Sequence, residues 1–394
     1  MIRIISEVNY LERRFLASLF LTLFVSYTMR NRARAHNLLS AMLILYVAFD
    51  HKHTAYILAS IALNILLLKF TSMTEYAFTL VNIIVLYVYK IFGGFFEKRI
   101  SGSFDISGVL MLMTIKMCYL GKEYDRRTNT IKDALSYILF IPGLMLGPVP
   151  TFKKFMENKY RKPKKPPYGT FLKSFGFLIL FQALRISVPR SHLLEENVSL
   201  PMRLVYIYLF TVGNRIKFYF AWHFSHGCFT FQNFPNLLNA DFLKVELATC
   251  VKDLSTYWNV CTGIWLKNCF FVPMKRKSIF WASVATSAVS ALWHGINPCY
   301  LIMFLSFSIS IPVVKENNRL IQYFCPSLFW ILSRVQMLIL TTYFTTSFFL
   351  LNISDLIYVW KSVYFAGHIV IALSLLIQGA TKYFSFPAEK KRID

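Results

Sequence analysis

The sequence predicts an all-α fold, a polytopic transmembrane helical bundle, on three observations. The composition is too apolar for water, the apolar residues fall in stretches near the length of a bilayer crossing, and the charges gather in short runs between them. Of 394 residues, 56% are hydrophobic, 17% aromatic and only 16% charged, whereas an ordinary soluble domain carries about 25% charged residues. The excess apolar surface calls for lipid. At about 20 residues per crossing, ten to twelve membrane segments use roughly 200 to 240 residues. Some of the stretches are short, so tilted segments, re-entrant segments or segments packed inside the bundle are expected among them.

The first element is a basic start (Arg3, Arg13, Arg14) followed by an apolar run from Phe15 to Thr28. It has the look of a secretory signal, but Arg30, Arg32 and Arg34 follow in place of a small-residue cleavage site, so a retained membrane segment is expected. Further apolar stretches run over Leu38–Phe49, Ala55–Phe70, Ala77–Phe95, Ile106–Leu120, Ala134–Val149, Phe171–Ser187 and Met202–Phe224. Residues Asn233–Tyr257 mix polar and apolar types and cannot lie wholly in hydrocarbon. Leu238, Phe242, Val245 and Ala248 share a helical flank, broken by Asp241 and Lys252, which predicts an interfacial helix. Apolar character returns at Ile279–Leu292, Tyr300–Val314, Ser327–Leu351 and Val359–Ile377 before a basic tail. No internal repeat and no second domain is evident, so residues 1–394 read as one membrane domain.

The formal charge is +24, from 43 Lys and Arg against 19 Asp and Glu. Its distribution argues against a nucleic-acid partner, because the basic residues flank apolar stretches as topology and anionic lipid headgroups require. The loop Thr151–Gly169 holds seven Lys or Arg against Glu157 alone, which assigns it to the cytosol. One crossing later the Val188–Pro201 loop is lumenal, with an Asn197 glycosylation sequon, and the next returns the chain to the cytosol. The tail residues Lys391 and Arg392 approximate a dibasic retrieval signal, so an integral protein of the endoplasmic reticulum is expected, although as plain positive anchors they suit any cytosolic tail. Cys118, Cys228, Cys250, Cys261, Cys269, Cys299 and Cys325 are odd in number and contain no CxxC pair, so neither a disulfide framework nor a zinc site is expected. They read as small apolar core residues.

A few polar residues interrupt the apolar stretches. In SALWHGINPCY, Ser290–Tyr300, Gly295 and Pro298 break a helix, and His294 sits at the break. Non-helical backbone at membrane depth survives only inside protein or beside a water-filled cavity, and an ionisable residue there is a functional candidate. Histidine is also the side chain best matched to taking a proton near neutral pH. A neutral imidazole bonded to a backbone carbonyl is the plain structural alternative. In YWNVCTGIWLKNCFF, Tyr257–Phe271, an amide follows two amphipathic aromatics and opens a segment too short to cross. Asn259 suits donation to a developing negative charge, and equally suits a helix cap. His223 and His226 share a helix face without an evident third ligand, so no metal site is expected. Asp105 and Lys116 bracket one apolar stretch and read as a structural pair or a headgroup contact. There is no GxSxG, HExxH, Walker or dinucleotide-binding pattern, which sets aside the common hydrolase, protease and nucleotide-driven classes.

Taken in order, DISGVLMLMTIKM (Asp105–Met117), LFIPGLMLGPVPTFKKF (Leu139–Phe155), FYFAWHFSHG (Phe218–Gly227), YWNVCTGIWLKN (Tyr257–Asn268) and LWHGINPCY (Leu292–Tyr300) resemble the membrane-bound O-acyltransferases, in particular the lysophospholipid acyltransferase branch. The likeness covers about half of the chain, a core of roughly residues 105–300. It implies a helical bundle with a central chamber or tunnel, in which acyl-CoA donates a fatty acyl chain to a lysophospholipid without any other cofactor. Position by position it implies His294 as the catalytic histidine and Asn259 as its paired asparagine. Trp258, Trp265 and Gly295, with Tyr257 and Trp293 beside them, are expected to shape the substrate chamber. Cys299 stands where the related WHGxxPGY form has glycine, and His226 where relatives often carry an acid.

The chemistry suits those residues. A neutral His294 would take the proton of the acceptor hydroxyl as it attacks the thioester, while Asn259 steadies the carbonyl or oxyanion. Lys275, Arg276 and Lys277 are candidate contacts for the CoA phosphates. Two other classes remain open: transfer to a sterol, a diacylglycerol or a protein, and a transporter, for which paired halves would be expected.

Overall fold

A computed structural model describes residues 10–28, 37–96, 105–158, 166–234 and 236–383, and in these the chain is helical, with no strand. In order the helices are α1 (Tyr10–Thr28), α2 (Asn37–Ala48), α3 (His51–Phe70), α4 (Glu75–Phe96), α5 (Ser107–Glu123), α6 (Ile131–Ile138), α7 (Phe152–Glu157), α8 (Tyr168–Ser187) and α9 (Leu200–Phe231). After these come α10 (Phe242–Glu246), α11 (Val251–Tyr257), α12 (Val260–Leu266), α13 (Val272–Met274), α14 (Ile279–His294), α15 (Pro298–Phe324), α16 (Phe329–Leu350), α17 (Ile353–Ser362) and α18 (Ala366–Tyr383).

Local chemistry sets the boundaries. The Asp50 carboxylate accepts from His53 N to start α3, a Thr130–Asp133 capping box starts α6, and Asn352 accepts from Asp355 N to start α17. Each side chain satisfies an amide that the first helical turn leaves without a partner. Pro298 occupies the first turn of α15, where its missing N–H is not needed.

Among the described residues, five helices are long and apolar enough to span a bilayer: α3, the Glu75–Phe92 part of α4, α8, α15, and α16 with the turn before it. The pair α17 and α18, bent by 65°, would make a sixth. That is fewer full spans than the ten to twelve segments expected. The difference lies in short apolar pieces such as Leu39–Ala48 and Val260–Met274, and in α9, which carries Arg203, Arg215 and Lys217 along its 32 residues. Only 11% of the α8 window is buried, and Leu172 on it is 76% exposed. Such an apolar face suits hydrocarbon and not water.

One apolar stretch packs inside the bundle, and two expectations need correction. Ala134–Val149 does not cross: α6 ends at Ile138, a 3₁₀ turn covers Ile141–Gly143, and the chain then runs non-helically through Pro148 and Pro150. The prolines and glycines there cannot sustain a helix. Protein surrounds this backbone, with Leu144 and Val149 buried and Ser225 Oγ donating to Pro142 O at 2.7 Å, as non-helical chain at membrane depth requires. Asn233–Tyr257 is not one surface helix but two short ones, α10 and α11. Asp241, which spoiled the apolar flank, is the N-cap of α10 and accepts from Lys244 N at 3.2 Å. Asp105 and Lys116 do not pair. Asp105 lies ahead of α5 and Lys116 within it; Asp105 binds Ser107, and Lys116 Nζ donates to Ile138 O at 2.6 Å.

Two apolar cores meet at the break between α14 and α15. The first joins α5 (Met113, Met117, Cys118) to Trp265, Cys269 and Trp293. The second joins Cys299 to α16 and α17 through Met337, Phe344, Val359 and Trp360. Of the seven cysteines, all free, Cys118, Cys228, Cys269 and Cys299 are buried core residues, whereas Cys250 and Cys261 are half-buried and Cys325 is exposed.

Candidate active site

His294 is the last residue of α14. Gly295 follows with φ 138° and ψ −175°, a conformation open essentially only to glycine, so the chain turns sharply at this point. Two α4 side chains, one helical turn apart, hold the end of α14. Tyr87 OH donates to Leu292 O at 2.7 Å, and Lys90 Nζ donates to His294 O. They satisfy carbonyls that a helix C-terminus leaves without internal partners. Trp293 adds a third tie, donating from Nε1 to Met111 O of α5 at 3.0 Å.

The imidazole of His294 lies in an aromatic box drawn from α15 and α16. The ring of Phe304 stacks on it at 5.4 Å, Phe348 meets it edge-on at 4.9 Å and Tyr300 lies at 5.4 Å. Its side chain makes no hydrogen bond among the described residues, and it is half-buried. Its backbone is therefore fixed while its nitrogens are left uncommitted.

Asn259 occupies a second locus. It is the N-cap residue of α12 in the left-handed conformation, φ 48° and ψ 49°, and its side chain caps nothing. Asn239, twenty positions earlier, caps instead. Its Oδ1 accepts from Cys261 N at 2.9 Å, its backbone O accepts from Val260 N at 2.8 Å, and its Nδ2 donates to Asn259 Oδ1 at 2.9 Å. Asp241 N donating to Tyr257 O at 3.1 Å closes the same turn.

The segment carrying Asn239 is anchored to α9 by a buried cluster. Arg215, 3% exposed, forks onto Glu246 with Nε at 2.8 Å and Nη2 at 2.6 Å, and Tyr219 OH donates to the same carboxylate at 2.8 Å. Trp258 packs beside it, its ring 4.8 Å from that of Trp222 and 5.5 Å from that of Tyr219. Tyr257 lies on the edge of the same apolar group.

The expected site residues thus fall into two groups. Trp293, His294 and Gly295 form one, and Tyr257, Trp258 and Asn259 the other. Trp265 bridges them, its ring 5.6 Å from that of Trp293, and it lies six positions, about 9 Å of rise, along α12 from Asn259. No hydrogen bond joins Asn259 to His294 among the described residues. Lys275, Arg276 and Lys277 form the exposed turn between α13 and α14. Of the basic Thr151–Gly169 loop, residues 159–165 lie outside the described residues, as do Lys391 and Arg392. His223 is satisfied through Nδ1 by Tyr219 O at 2.9 Å, whereas His226 Nδ1 is buried without a hydrogen bond.

Sequence reasoning missed Tyr87, Lys90, Phe304, Phe348 and Asn239. Tyr87 and Lys90 lie more than 200 positions from their partners, and nothing in their own surroundings points across that distance. Asn239 carried one faint signal, as one of three asparagines in the polar stretch before Asn259.

A family model described as the membrane-bound O-acyltransferase family matches residues 14–360. The chain is 26% identical over 298 residues to a lysophospholipid acyltransferase of Schizosaccharomyces pombe, covering 64% of this chain and 58% of that protein. It is 26% identical over 343 residues to membrane-bound glycerophospholipid O-acyltransferase 1 of Homo sapiens, covering 69% of this chain and 67% of that one. It is 23% identical to lysophospholipid acyltransferase 2 of Arabidopsis thaliana, over 70% of this chain and 72% of that one. The chain therefore spans less than two thirds of the length of the first of these relatives. With a match extending over most of its helices, the chain belongs to the membrane-bound O-acyltransferase family.

Proposed function

We propose that this chain is a lysophospholipid acyltransferase, moving a fatty acyl group from acyl-CoA to the free hydroxyl of a lysophospholipid. The observation that carries the reading is His294, whose backbone is held at a glycine break while its ring nitrogens remain uncommitted among the described residues. The names of the relatives agree with it. His294 accepts the proton of the attacking hydroxyl, and the hydroxyl oxygen bonds to the thioester carbonyl carbon. Charge gathers on the carbonyl oxygen, where Asn259 donates a hydrogen bond. The carbon–sulfur bond then breaks, and His294 returns the proton to the leaving thiolate of CoA. No metal or prosthetic group takes part. The aromatic box around His294 disfavours water as a competing acceptor. Lys275, Arg276 and Lys277 contact the CoA phosphates at the cytosolic mouth, and the protein resides in the endoplasmic reticulum.

The test is a membrane preparation given labelled acyl-CoA with a panel of lysophospholipids differing in headgroup, together with sterol and diacylglycerol. A labelled phospholipid formed by the native chain and lost in His294→Ala supports the reading. Labelling of sterol or diacylglycerol alone, or full activity in His294→Ala, defeats it.

A further inference from the structure

Asparagine is among the preferred N-cap residues because its side-chain oxygen accepts from the amides of the first turn. Asn259 sits in the cap position of α12 and does not do this; Asn239 accepts from Cys261 N instead. The cap is thus supplied from another segment, and the Asn259 side chain is released. Asn239 is 1% exposed, so its own amide has no freedom to turn without losing a buried hydrogen bond.

The hydrogen bonds also have a direction. A backbone N–H can only donate, so Cys261 N must face an oxygen, which fixes Oδ1 of Asn239 on that side. The other arm of Asn239 is then its NH2 group, and it meets Asn259 across 2.9 Å. Two NH2 groups cannot bond to each other, so Asn259 must turn its oxygen to Asn239. Its own NH2 group therefore points away from the clamp, and it makes no hydrogen bond among the described residues.

We propose that Asn239 is a positioning residue that sets the polarity of Asn259, so that Asn259 meets the substrate with its N–H donors and not with its carbonyl. A chain of three groups, the Cys261 amide, the Asn239 amide and the Asn259 amide, converts one backbone donor into one side-chain donor aimed elsewhere. Resting on the acyl-transfer reading, this gives Asn259 one role: a preset donor to the thioester oxygen as charge develops on it. An amide free to rotate would spend part of its time presenting an oxygen, which repels that charge.

The discriminating variant is Asn239→Asp. Its carboxylate still accepts from Cys261 N but cannot donate to Asn259, so the Asn259 amide turns over to donate into the clamp and presents its oxygen outward. The expected result is a kcat loss on the order of 100-fold, as for an oxyanion donor removed, with KM for both substrates changed less than about threefold. Asn239→Asp combined with Asn259→Ala should be no slower than Asn259→Ala alone, because residues acting through one group do not add. Detergent-solubilised protein that stays monodisperse separates this effect from misfolding, and Asn239→Ser, which keeps an acceptor with a donor of shorter reach, gives an intermediate rate. An Asn239→Asp enzyme with the wild-type kcat, or losses that multiply in the double variant, overturns the proposal while leaving acyl transfer intact. A wild-type chain that forms no acyl lipid overturns both.

Discussion

Lys90 and His294 meet at the end of α14, where the lysine ammonium donates to the histidine's backbone carbonyl. The half-buried lysine thus fixes the helix end from which the imidazole projects. Lys90→Met should leave that carbonyl unpaired at a cost of about 1–3 kcal/mol, lowering the melting temperature and kcat together. Lys90→Arg, which can still donate, should recover most of both. Thermal unfolding in detergent beside steady-state kinetics reads the pair, and a Lys90→Met enzyme with native values on both counts would remove the anchor.

Gly295→Ala tests the turn. A Cβ there lies 2.9 Å from Lys90 Nζ, on a residue with φ 138°, and strained backbone of this kind costs about 1–3 kcal/mol. The expected outcome is a protein destabilised by that amount, with acyl transfer reduced more than stability, because the lysine must also move. Activity at the wild-type level would show that the turn tolerates a side chain.

His294→Gln should separate chemistry from folding. Because the imidazole makes no hydrogen bond among the described residues, its loss removes ring contacts only. Activity should fall below detection while the melting temperature stays within a few degrees. A large drop in melting temperature would instead make the histidine a structural residue.

The Arg215–Glu246 pair predicts a stability effect with a distinctive pattern. Removing one partner, as in Glu246→Ala, leaves a buried charge and should cost about 3–5 kcal/mol, whereas replacing both with apolar residues should cost less than either single change. A double-mutant cycle of thermal unfolding decides it, and additive losses would show that the pair is uncoupled.

Lys275, Arg276 and Lys277 changed together to Gln should raise KM for acyl-CoA and flatten its dependence on salt, since exposed charges act through a screened field. The value of kcat should not change. If the KM for acyl-CoA and its salt dependence stay as in the wild type, the CoA phosphates bind elsewhere.

What could be read from the sequence was local. Gly295 and Pro298 announced the end of one helix and the start of the next, and α14 and α15 fall on either side of them. The apolar stretch from Phe171 to Ser187 gave the end of α8 and started three residues inside it. Hydropathy alone does not tell Ala134–Val149 from a span, because buried irregular chain is as apolar as one and only its prolines and glycines separate the two. It misled at Asp241, where a residue read as a blemish on an amphipathic face begins a helix. Asn259 was visible as a polar residue in apolar company, but its hydrogen bond to Asn239 comes from twenty positions away, and no local pattern encodes that partnership.

The pocket of His294 is assembled from distant stretches of chain. Lys90 comes from 204 positions before it, and Phe348 closes the far wall from α16. During synthesis the histidine therefore leaves the ribosome well before its enclosure exists, and a nascent chain released short of residue 348 carries the motif without its surroundings. Two fragments divided in the loop after α9 would each be inert, and activity returning when they are expressed together would record their reassembly in the membrane.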